Sequence, residues 1–413
     1  MSTDRALNTE STLGTARTMG TDRGINFKYS FLQASYWLLL QATFPFLIMI
    51  YQSYGFSNMT IGMIATGIAA GCAIGQPLYG IVCDKFQSVK KVVIPMIILG
   101  CAVLMFLPFG EGKALLTGII VVTVNICFSD LIPVFDGWGA RLKADGHKLN
   151  YGFCRSFGSL FYAIGGLCGI VYDAAGLWLI YPVMIVLSLF MIVSVGTLPD
   201  PVTASEKKPK LLSMFKVLVK SRRYVSLLVV TFLCYIANNC FFVYYPLFLQ
   251  EMGGGSGPYG VALFVMNVCE VPVMLLSKKY LKKIKAHHLL MISFAFQGIR
   301  YLLVSVAPNV GFGIGANVIH GLCFGLMYVA WVEYLPKFLD KEILISAQTI
   351  MTAVGIGGGT VGATVAGIMT STIGIRNMYH IIGIFPAAAL VIFVITYNAF
   401  KKDPILKMSS EEK

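Results

Sequence analysis

The chain has 413 residues, of which 57% are hydrophobic and only 12% are charged, and its mean hydropathy is +0.76. Soluble proteins average about 25% charged residues, which they need to cover their cores with a hydrated surface. The composition therefore excludes an ordinary soluble protein and predicts an all-α protein that crosses a membrane many times.

Twelve apolar stretches approach the roughly 20 residues that a helix needs to cross a bilayer. They lie near residues 27–51, 59–83, 92–109, 114–138, 151–172, 177–198, 224–249, 259–277, 287–307, 311–335, 345–372 and 376–399. The first 25 residues are polar and lack the apolar core of a cleavable signal, so the first span is expected to direct insertion.

Residues 199–223 form the only long interior connection between spans, and they divide the chain into two halves. We predict an N-terminal tail (1–25), a six-helix bundle (26–198), this connection, a second six-helix bundle (224–399) and a C-terminal tail (400–413). The stretch LLSMFKVLVKSRR within the connection is expected to form a short amphipathic helix on the membrane surface. Two six-helix halves predict a binding site between them, near the bilayer midplane.

The net charge of +13 is distributed as in a membrane protein. With the N-terminus inside, 28 of the 32 Lys and Arg residues fall in inner segments, and the outer loops hold only Lys113 and Arg376. This asymmetry predicts that both termini are cytoplasmic. The basic runs are better explained by orientation and by contact with anionic lipid than by nucleic-acid binding.

The ten cysteines are scattered through apolar segments, without C-x-x-C pairs or histidines at metal-ligand spacing. We predict buried free thiols, with no metal site and no cofactor. The G-x-G-x-x-G match from Gly357 to Gly362 lies inside the eleventh span with no strand before it. It predicts close helix packing rather than a dinucleotide site.

The segment GQPLYGIVCDKFQSVKK, from Gly75 to Lys91, joins the second and third spans. Gly80, Asp84 and Lys85, followed by a basic pair, resemble the loop signature of the major facilitator superfamily. In that interpretation, Gly80 permits close approach of a neighbouring helix, and Asp84 caps a helix N-terminus in one conformation only. The alternative is a solvated loop whose lysines merely fix the topology.

Further motifs resemble the lactose permease group of that superfamily. They are QPLYGIVCDK, FPF from Phe44, PVFD from Pro133, YGFCRSFG from Tyr151 and IHGLCFG from Ile319. The resemblance implies two pseudo-symmetric six-helix bundles in a bacterial cytoplasmic membrane and a monomer that carries a small solute with a proton. Members of the group carry oligosaccharides, nucleosides or aromatic acids.

Ionisable residues inside a bilayer cost about 2.5–3.5 kcal/mol each and indicate function by default. Asp136 and Arg155 lie at similar depth on consecutive antiparallel spans, so we expect them to pair. The resemblance implies that both bind substrate, above an aromatic platform supplied by Tyr162. A plain interfacial salt bridge is the alternative, and Asp130 is a candidate for a second cavity acid.

In the second half, Glu270 falls in the middle of a span, with Arg300 and His320 in the next two. Desolvation disfavours an isolated ionised carboxylate, and a nearby arginine restores its charge, which is the bistable element that proton coupling needs. The resemblance assigns substrate binding to Glu270 and His320 and proton coupling to Arg300, and we add Glu270 and His320 as candidates for proton coupling.

The pattern departs from lactose permease at Asn317 and Cys323, which replace a lysine and the main proton-site glutamate. Without that glutamate, proton coupling must rely on Glu270, His320 or an aspartate of the first half, or be absent. Asn239 replaces an aspartate, so we expect Asn239 and Asn317 to form a neutral pair in place of a charged one, with Asn239 near the substrate.

We therefore predict a secondary transporter of a small polar solute, most simply a sugar or glycoside, driven by protons through alternating access. The alternatives are transport of organic anions such as aromatic carboxylates, transport of nucleosides, and a non-transporting membrane sensor. No nucleophile–base pair or metal cluster is visible in the sequence, so an enzyme is not expected.

Overall fold

The structure is a computed structural model that describes residues 4–86, 88–200, 211–339 and 343–401. The side chains of 4–23, 77, 80, 84, 144, 211–214, 278 and 345 lie outside this description. The first half contains six helices: α1 (Asp4–Thr43, continued through Phe44–Phe46 to Leu47–Ser53), α2 (Asn58–Phe86), α3 (Lys90–Leu104), α4 (Ala114–Ser129 and Ile132–Ala144), α5 (Tyr151–Gly166 and Cys168–Ala175) and α6 (Leu177–Leu179 and Ile180–Thr197).

The second half repeats this plan after a short helix, Leu211–Leu218, which lies within the stretch expected to be amphipathic. Its helices are α7 (Arg222–Glu251), α8 (Ser256–Leu275), α9 (Ala286–Ser305), α10 (Val310–Gly315, Ala316–Ile319, Gly321–Gly325, Leu326–Tyr334 and Leu335–Lys337), α11 (Leu344–Ile373) and α12 (Ile375–Ile382 and Ile384–Phe400). Residues 201–210 of the expected central connection and 402–413 of the expected C-terminal tail lie outside the described residues.

Within the described ranges, eleven helices are long and apolar enough to cross a membrane. The remaining one of the twelve is α3, whose 15 residues rise only about 22 Å. A short 3₁₀ helix, Leu107–Gly110, continues its path toward the next turn. The twelve-helix plan predicted from hydropathy is therefore confirmed, with one crossing shorter than its apolar stretch suggests.

Helix α4 is interrupted at Asp130 and Leu131. Pro133 has no N–H to donate to the carbonyl four residues earlier, that of Ser129, so the helix cannot continue regularly. The Tyr36 hydroxyl of α1 compensates by donating to the carbonyls of Phe128 and Ser129, at 3.0 and 3.3 Å. The interruption thus places an acidic residue at the junction of two half-helices inside the bundle.

The two halves meet at one end of the molecule, where the chain turns at Gly55, Gly112, Gly176, Gly253 and Gly374. We call this the closed end. At Gly62 a Cβ would lie 2.8 Å from the carbonyl of Ala363 and from the α-carbon of Gly367, so α2 and α11 touch backbone to backbone.

Helices α5 and α8 touch in the same way at Gly166 and Gly260. Hydrogen bonds between Thr66 and Thr364 (2.8 Å) and from the Tyr244 hydroxyl to the Asn58 carbonyl (2.5 Å) also join the halves there. Small residues permit such close helix packing in a membrane.

The glycine-rich motif in α11 has the structural role that the sequence predicts. A Cβ on Gly358 would lie 2.6 Å from the carbonyl of Phe232, and one on Gly362 would lie 2.5 Å from that of Ile236. Both carbonyls belong to α7. The glycines therefore let α7 and α11 pack closely within the second half, and the match to a dinucleotide motif is a coincidence of spacing.

The segment that resembles the superfamily loop is mostly helical, which corrects our expectation of a loop. Helix α2 continues to Phe86, so Gly80, Asp84 and Lys85 belong to its last turns. The Lys85 side chain is exposed, and those of Gly80 and Asp84 lie outside the described residues. The N-terminus of α3 is capped by Asp200, which accepts from the backbone N–H of Val89 at 3.0 Å and from the Ser88 hydroxyl at 2.5 Å.

Candidate functional site

A cavity of about 1050 Å³ lies between the two halves. Helices α1, α2, α4 and α5 line it from one side, and α7, α8 and α10 line it from the other. Its lining is largely apolar, with a small set of polar groups: Gln41, Asn125, Arg155, Ser156, Ser159, Asn238, Asn267, Glu270 and His320. A mostly apolar pocket with a few placed polar groups is typical of small-molecule sites.

Arg155 lines this cavity from α5, together with Tyr162. Its guanidinium carbon lies 4.1 Å from the centre of the Trp37 ring, and its Nη1 donates to the Ser159 hydroxyl at 3.4 Å. Gly158 makes this geometry possible, because a Cβ there would lie 2.5 Å from Cδ1 of Trp37. The Trp37 and Tyr162 rings meet edge to face at 5.3 Å. The result is a cation and two aromatic rings that share one wall.

Asp136 does not pair with Arg155 in this conformation and does not line the cavity, contrary to our expectation. Its Oδ1 accepts from the Tyr151 hydroxyl at 2.6 Å. Tyr151 lies one turn before Arg155 on α5, so the partner of Asp136 is a phenol on the helix that also carries Arg155. The half-buried carboxylate is thereby satisfied by a neutral donor, and the Arg155 guanidinium remains available to the cavity.

Glu270 of α8 and His320 of α10 contact each other in the part of the cavity wall that the second half forms. Glu270 Oε1 lies 3.0 Å from His320 Nε2, and their side chains are 20% and 5% exposed. Gly321 brings the two helices together, because a Cβ there would lie 2.1 Å from the carbonyl of Cys269. The His320 ring is stacked parallel to Phe324 at 6.3 Å, and its Nδ1 has no hydrogen-bond partner in the described structure.

Arg300 is fully buried and does not line the cavity. Its Nε and Nη2 both donate to Asn317 Oδ1, at 2.9 and 2.7 Å, and its guanidinium carbon lies 4.0 Å from the centre of the Phe241 ring. The expected contact with Glu270 is therefore absent in this conformation. The amide of Asn317 and the face of Phe241 hold the cation instead.

The expected Asn239–Asn317 pair is also not formed. The Asn317 amide donates to the Tyr245 hydroxyl at 2.6 Å, and Asn239 Oδ1 has no partner in the described structure. Asn239 does not line the cavity, whereas the neighbouring Asn238 does. Successive residues of a helix point about 100° apart, so an alignment that is shifted by one position selects a side chain on another face. The family's aspartate was matched to Asn239, but Asn238 is the residue that faces the cavity.

Sequence reasoning missed Trp37, Asn125, Asn238 and Asn267 as cavity residues. The three asparagines could have been identified from the sequence, because an unpaired amide inside an apolar span is costly. The described residues contain no group of three or more His, Cys, Asp or Glu side chains that could hold a metal ion. The ten cysteines are free thiols, as predicted.

Several curated proteins resemble the chain along most of its length. The uncharacterized transporter YwbF of Bacillus subtilis is 23% identical over 76% of this chain and 78% of its own length. The maltose permease of Geobacillus stearothermophilus is 26% identical, with coverage of 79% and 82%. A probable 3-phenylpropionic acid transporter of Escherichia coli is 22% identical, with coverage of 84% and 90%.

Solved structures share the fold at lower identity. The crystal structure of the nucleoside transporter NupG superposes with a TM-score of 0.79, at 15% identity, over 90% of this chain and 99% of that one. A bacterial homologue of the lysosomal transporter Spinster, in an inward-facing and unoccupied conformation, gives a TM-score of 0.71 at 12% identity over 94% of this chain and 99% of that one.

A family model settles the classification, since the model of the MFS_1 like family matches residues 28–381. Together with the twelve-helix fold and the cavity between its halves, this match shows that the chain belongs to the MFS_1 like family and is a multi-pass transporter of the major facilitator superfamily, a carrier and not an enzyme.

Proposed function

We propose that this carrier moves a sugar or glycoside together with protons across a bacterial cytoplasmic membrane by alternating access. One observation carries the proposal. The Glu270–His320 pair of the second half and the Arg155–Trp37 stack of the first half line one cavity between the halves. A solute held between them contacts both halves, so its binding is linked to their relative movement.

The cavity chemistry suits a polyhydroxylated ring. The faces of Trp37 and Tyr162 match the C–H faces of a pyranose, and the Asn125, Asn238 and Asn267 amides offer both donors and acceptors to hydroxyl groups. The similarity to a maltose permease supports the same substrate class.

Proton coupling is proposed for the Glu270–His320 pair, with Arg300 as a fixed positive charge behind it. A proton bound by the Glu270 carboxylate removes its negative charge and weakens the 3.0 Å contact with His320, which frees both groups to bind solute hydroxyls. Phe242 lies near both Arg300 and His320: its ring centre is 5.8 Å from the Arg300 guanidinium carbon and 5.9 Å from the His320 ring centre. Movement of α7 thus changes the surroundings of both at once.

Asp136 and Asn239 belong to the proposal as groups that reach the solute in another conformation. Asp136 is linked to the cavity wall through Tyr151, one turn from Arg155. The end of α2, with Gly80, Asp84 and Lys85, is proposed as the switch that differs between conformations. We retain the limits of the tails, the bundles and the central connection that the sequence predicts. We also propose that the carrier works as a monomer with both termini in the cytoplasm.

A second candidate is an organic anion such as an aromatic carboxylate. It is favoured by Arg155, whose guanidinium forms no ion pair with a carboxylate among the described residues while it faces the cavity beside two aromatic rings. An arginine that lacks a protein counter-charge is suited to a carboxylate solute. The similarity to a probable 3-phenylpropionic acid transporter agrees with this alternative.

Uptake of labelled maltose, phenylpropionate and uridine by cells that express the chain separates these candidates. We expect accumulation of the sugar, competed by other glycosides and abolished by a protonophore. Accumulation of phenylpropionate alone, with no competition by any sugar, would replace the first candidate by the second. Protonophore-insensitive uptake would remove proton coupling from the proposal. Glu111→Gln, which changes an exposed acid at the closed end, is the matched control.

A further inference from the structure

Asp130 is a buried acid that the proposed transport cycle does not yet use. Asp130 is 0% exposed, and its carboxylate oxygens have no hydrogen bond of ordinary length and angle, although the Cys72 thiol and the Gln76 amide lie against them. It does not line the cavity and forms no ion pair with a described Lys, Arg or His side chain. An ionised carboxylate without well-placed donors or a counter-charge is strongly disfavoured inside a protein.

Asp130 lies between the end of one half-helix of α4 and the start of the next, Ile132–Ala144. Asp130 follows directly after the first half of α4, the 16-residue helix Ala114–Ser129. The C-terminus of a helix carries partial negative charge from its free carbonyls, which repels an anion and attracts a cation. In carriers with interrupted helices, such ends are places where a coupling cation binds.

The groups that face Asp130 are neutral donors or thiols. They are Tyr36 on α1, Cys72, Gln76 and Tyr79 on α2, and Cys127 on α4. Tyr36 in turn has Asp136 and Arg155 as charged neighbours. The Tyr79 hydroxyl is itself buried without a hydrogen-bond partner. An unused donor thus lies close to an unused acceptor.

There is little room for any cation larger than a proton. A Cβ on Gly75 would lie 2.0 Å from Asp130 Oδ2, so the backbone of α2 presses directly against the carboxylate. The Tyr36 hydroxyl donates to the carbonyls of Phe128 and Ser129, so it competes with a sodium ion for the two carbonyls that precede Asp130 in the chain. A sodium ion needs several oxygen ligands in an open shell, whereas a proton needs only one.

We propose that Asp130 is a proton-binding site of this carrier, separate from the Glu270–His320 pair, and that it holds its proton at the interruption of α4 in the conformation described here. The proposal does not depend on which solute is carried. It gives the first half a proton site of its own, at the contact between α2 and α4.

Infrared spectroscopy of the purified, lipid-reconstituted full chain tests this proposal. We expect the carbonyl stretch of a protonated carboxylic acid at neutral pH, shifted in D₂O, which is lost in Asp130→Asn and kept in the control Glu111→Gln. Identical spectra of the wild type and Asp130→Asn in this region would overturn the proposal. Loss of the band on adding NaCl at constant pH would overturn it in favour of a sodium site.

A second variant keeps the test decisive where Asp130→Asn fails to fold. Asp130→Glu retains the carboxyl group but displaces it by one methylene, so we expect the band at a shifted frequency. An unshifted band would assign it to another acid and overturn the proposal. Because no solute is added, failure of this test is distinct from failure of the uptake experiment that tests the transported solute and its coupling.

Discussion

The partner that a buried polar side chain takes in this carrier depends on the side chains next to it, and not on charge alone. Asp136 and Arg155 carry opposite charges on consecutive helices, yet Tyr151 satisfies the first and Trp37 stacks on the second. Arg300 similarly takes an amide partner, Asn317, in place of a carboxylate. The pairing that residue types predict is therefore only one of several arrangements that satisfy the same buried groups.

Glu270→Gln tests the central pair at the residue scale. The change removes the charge-assisted contact to His320 while it keeps the size of the side chain, and such contacts are worth about 1.5–3 kcal/mol. Because the variant side chain is neutral, as the protonated carboxylate is, we expect solute affinity to stay within a few-fold of the wild type but to lose its dependence on pH. Equilibrium binding of the solute that the uptake assay identifies, measured at several pH values, provides the measurement, and a wild-type pH dependence in this variant would exclude Glu270 from proton coupling.

Asn317→Leu tests the partner of the buried arginine. Because the guanidinium of Arg300 is fully buried, loss of its acceptor leaves a charge uncompensated, at a cost of roughly 3–5 kcal/mol. We expect a clearly lower melting temperature in detergent. Asn317→Asp, which keeps an acceptor, is expected to melt near the wild type, as is the exposed control Asn377→Leu. Equal melting of all three variants would contradict this account.

At the scale of elements, helix ends and interruptions position the chemistry. The π-helical turn Gly321–Gly325 follows His320 directly, and the missing side chain of Gly321 lets α10 approach α8 closely. Pro133 interrupts α4 beside Asp130, because proline lacks the backbone N–H that a regular helix needs. The sequence motifs around these glycines and prolines were visible beforehand, but the side chains that they bring together depend on the helix opposite.

Asp173→Asn tests a contact between elements of opposite halves. The carboxylate of Asp173 lies against the uncapped N-terminus of α8, where Ser256 donates to it at 3.4 Å and a Cβ on Gly257 would lie 3.1 Å from Oδ2. An acid at a helix N-terminus stabilises by about 0.3–1 kcal/mol. The charge of Asp173 therefore stabilises the closed end.

We expect the neutral variant to shift the distribution of distances across the closed end toward longer values. Double electron–electron resonance between spin labels at positions 113 and 308 measures that distribution, in a variant from which the native cysteines have been removed. Glu111→Gln serves as the control, because this acid is exposed at the same end of the molecule. Unchanged distances in Asp173→Asn would show that the contact does not stabilise the closed end.

At the scale of the whole molecule, the charge asymmetry and the fold together predict an orientation. The inner segments defined from the sequence hold 28 of the 32 Lys and Arg residues, and the halves touch at the opposite, closed end. With the positive segments in the cytoplasm, as the asymmetry predicts, the closed end would face the outside. We therefore propose that this conformation is an inward-facing state of an alternating-access carrier.

Reporter fusions test this orientation. Alkaline phosphatase, which is active only outside the cytoplasm, is expected to be active when fused after Gly112 and inactive when fused after Gly146. Both glycines lie in turns with positive φ, at opposite ends of α4, so the two fusions are structurally matched. Activity in the reverse pattern would invert the topology and would make this conformation outward-facing.

The sequence by itself determined the membrane environment and the number of crossings, because hydropathy and charge asymmetry act locally along the chain, and its motifs carried the resemblance to the superfamily. It also identified Arg155, Glu270 and His320, since ionisable groups in apolar spans are costly and therefore conspicuous, and the resemblance added Tyr162. Only the tertiary structure decided which of these groups meet. The separation of Asp136 from Arg155, the Arg300–Asn317 contact and the choice of Asn238 over Asn239 follow from helix rotation and interhelical packing, which no single helix encodes.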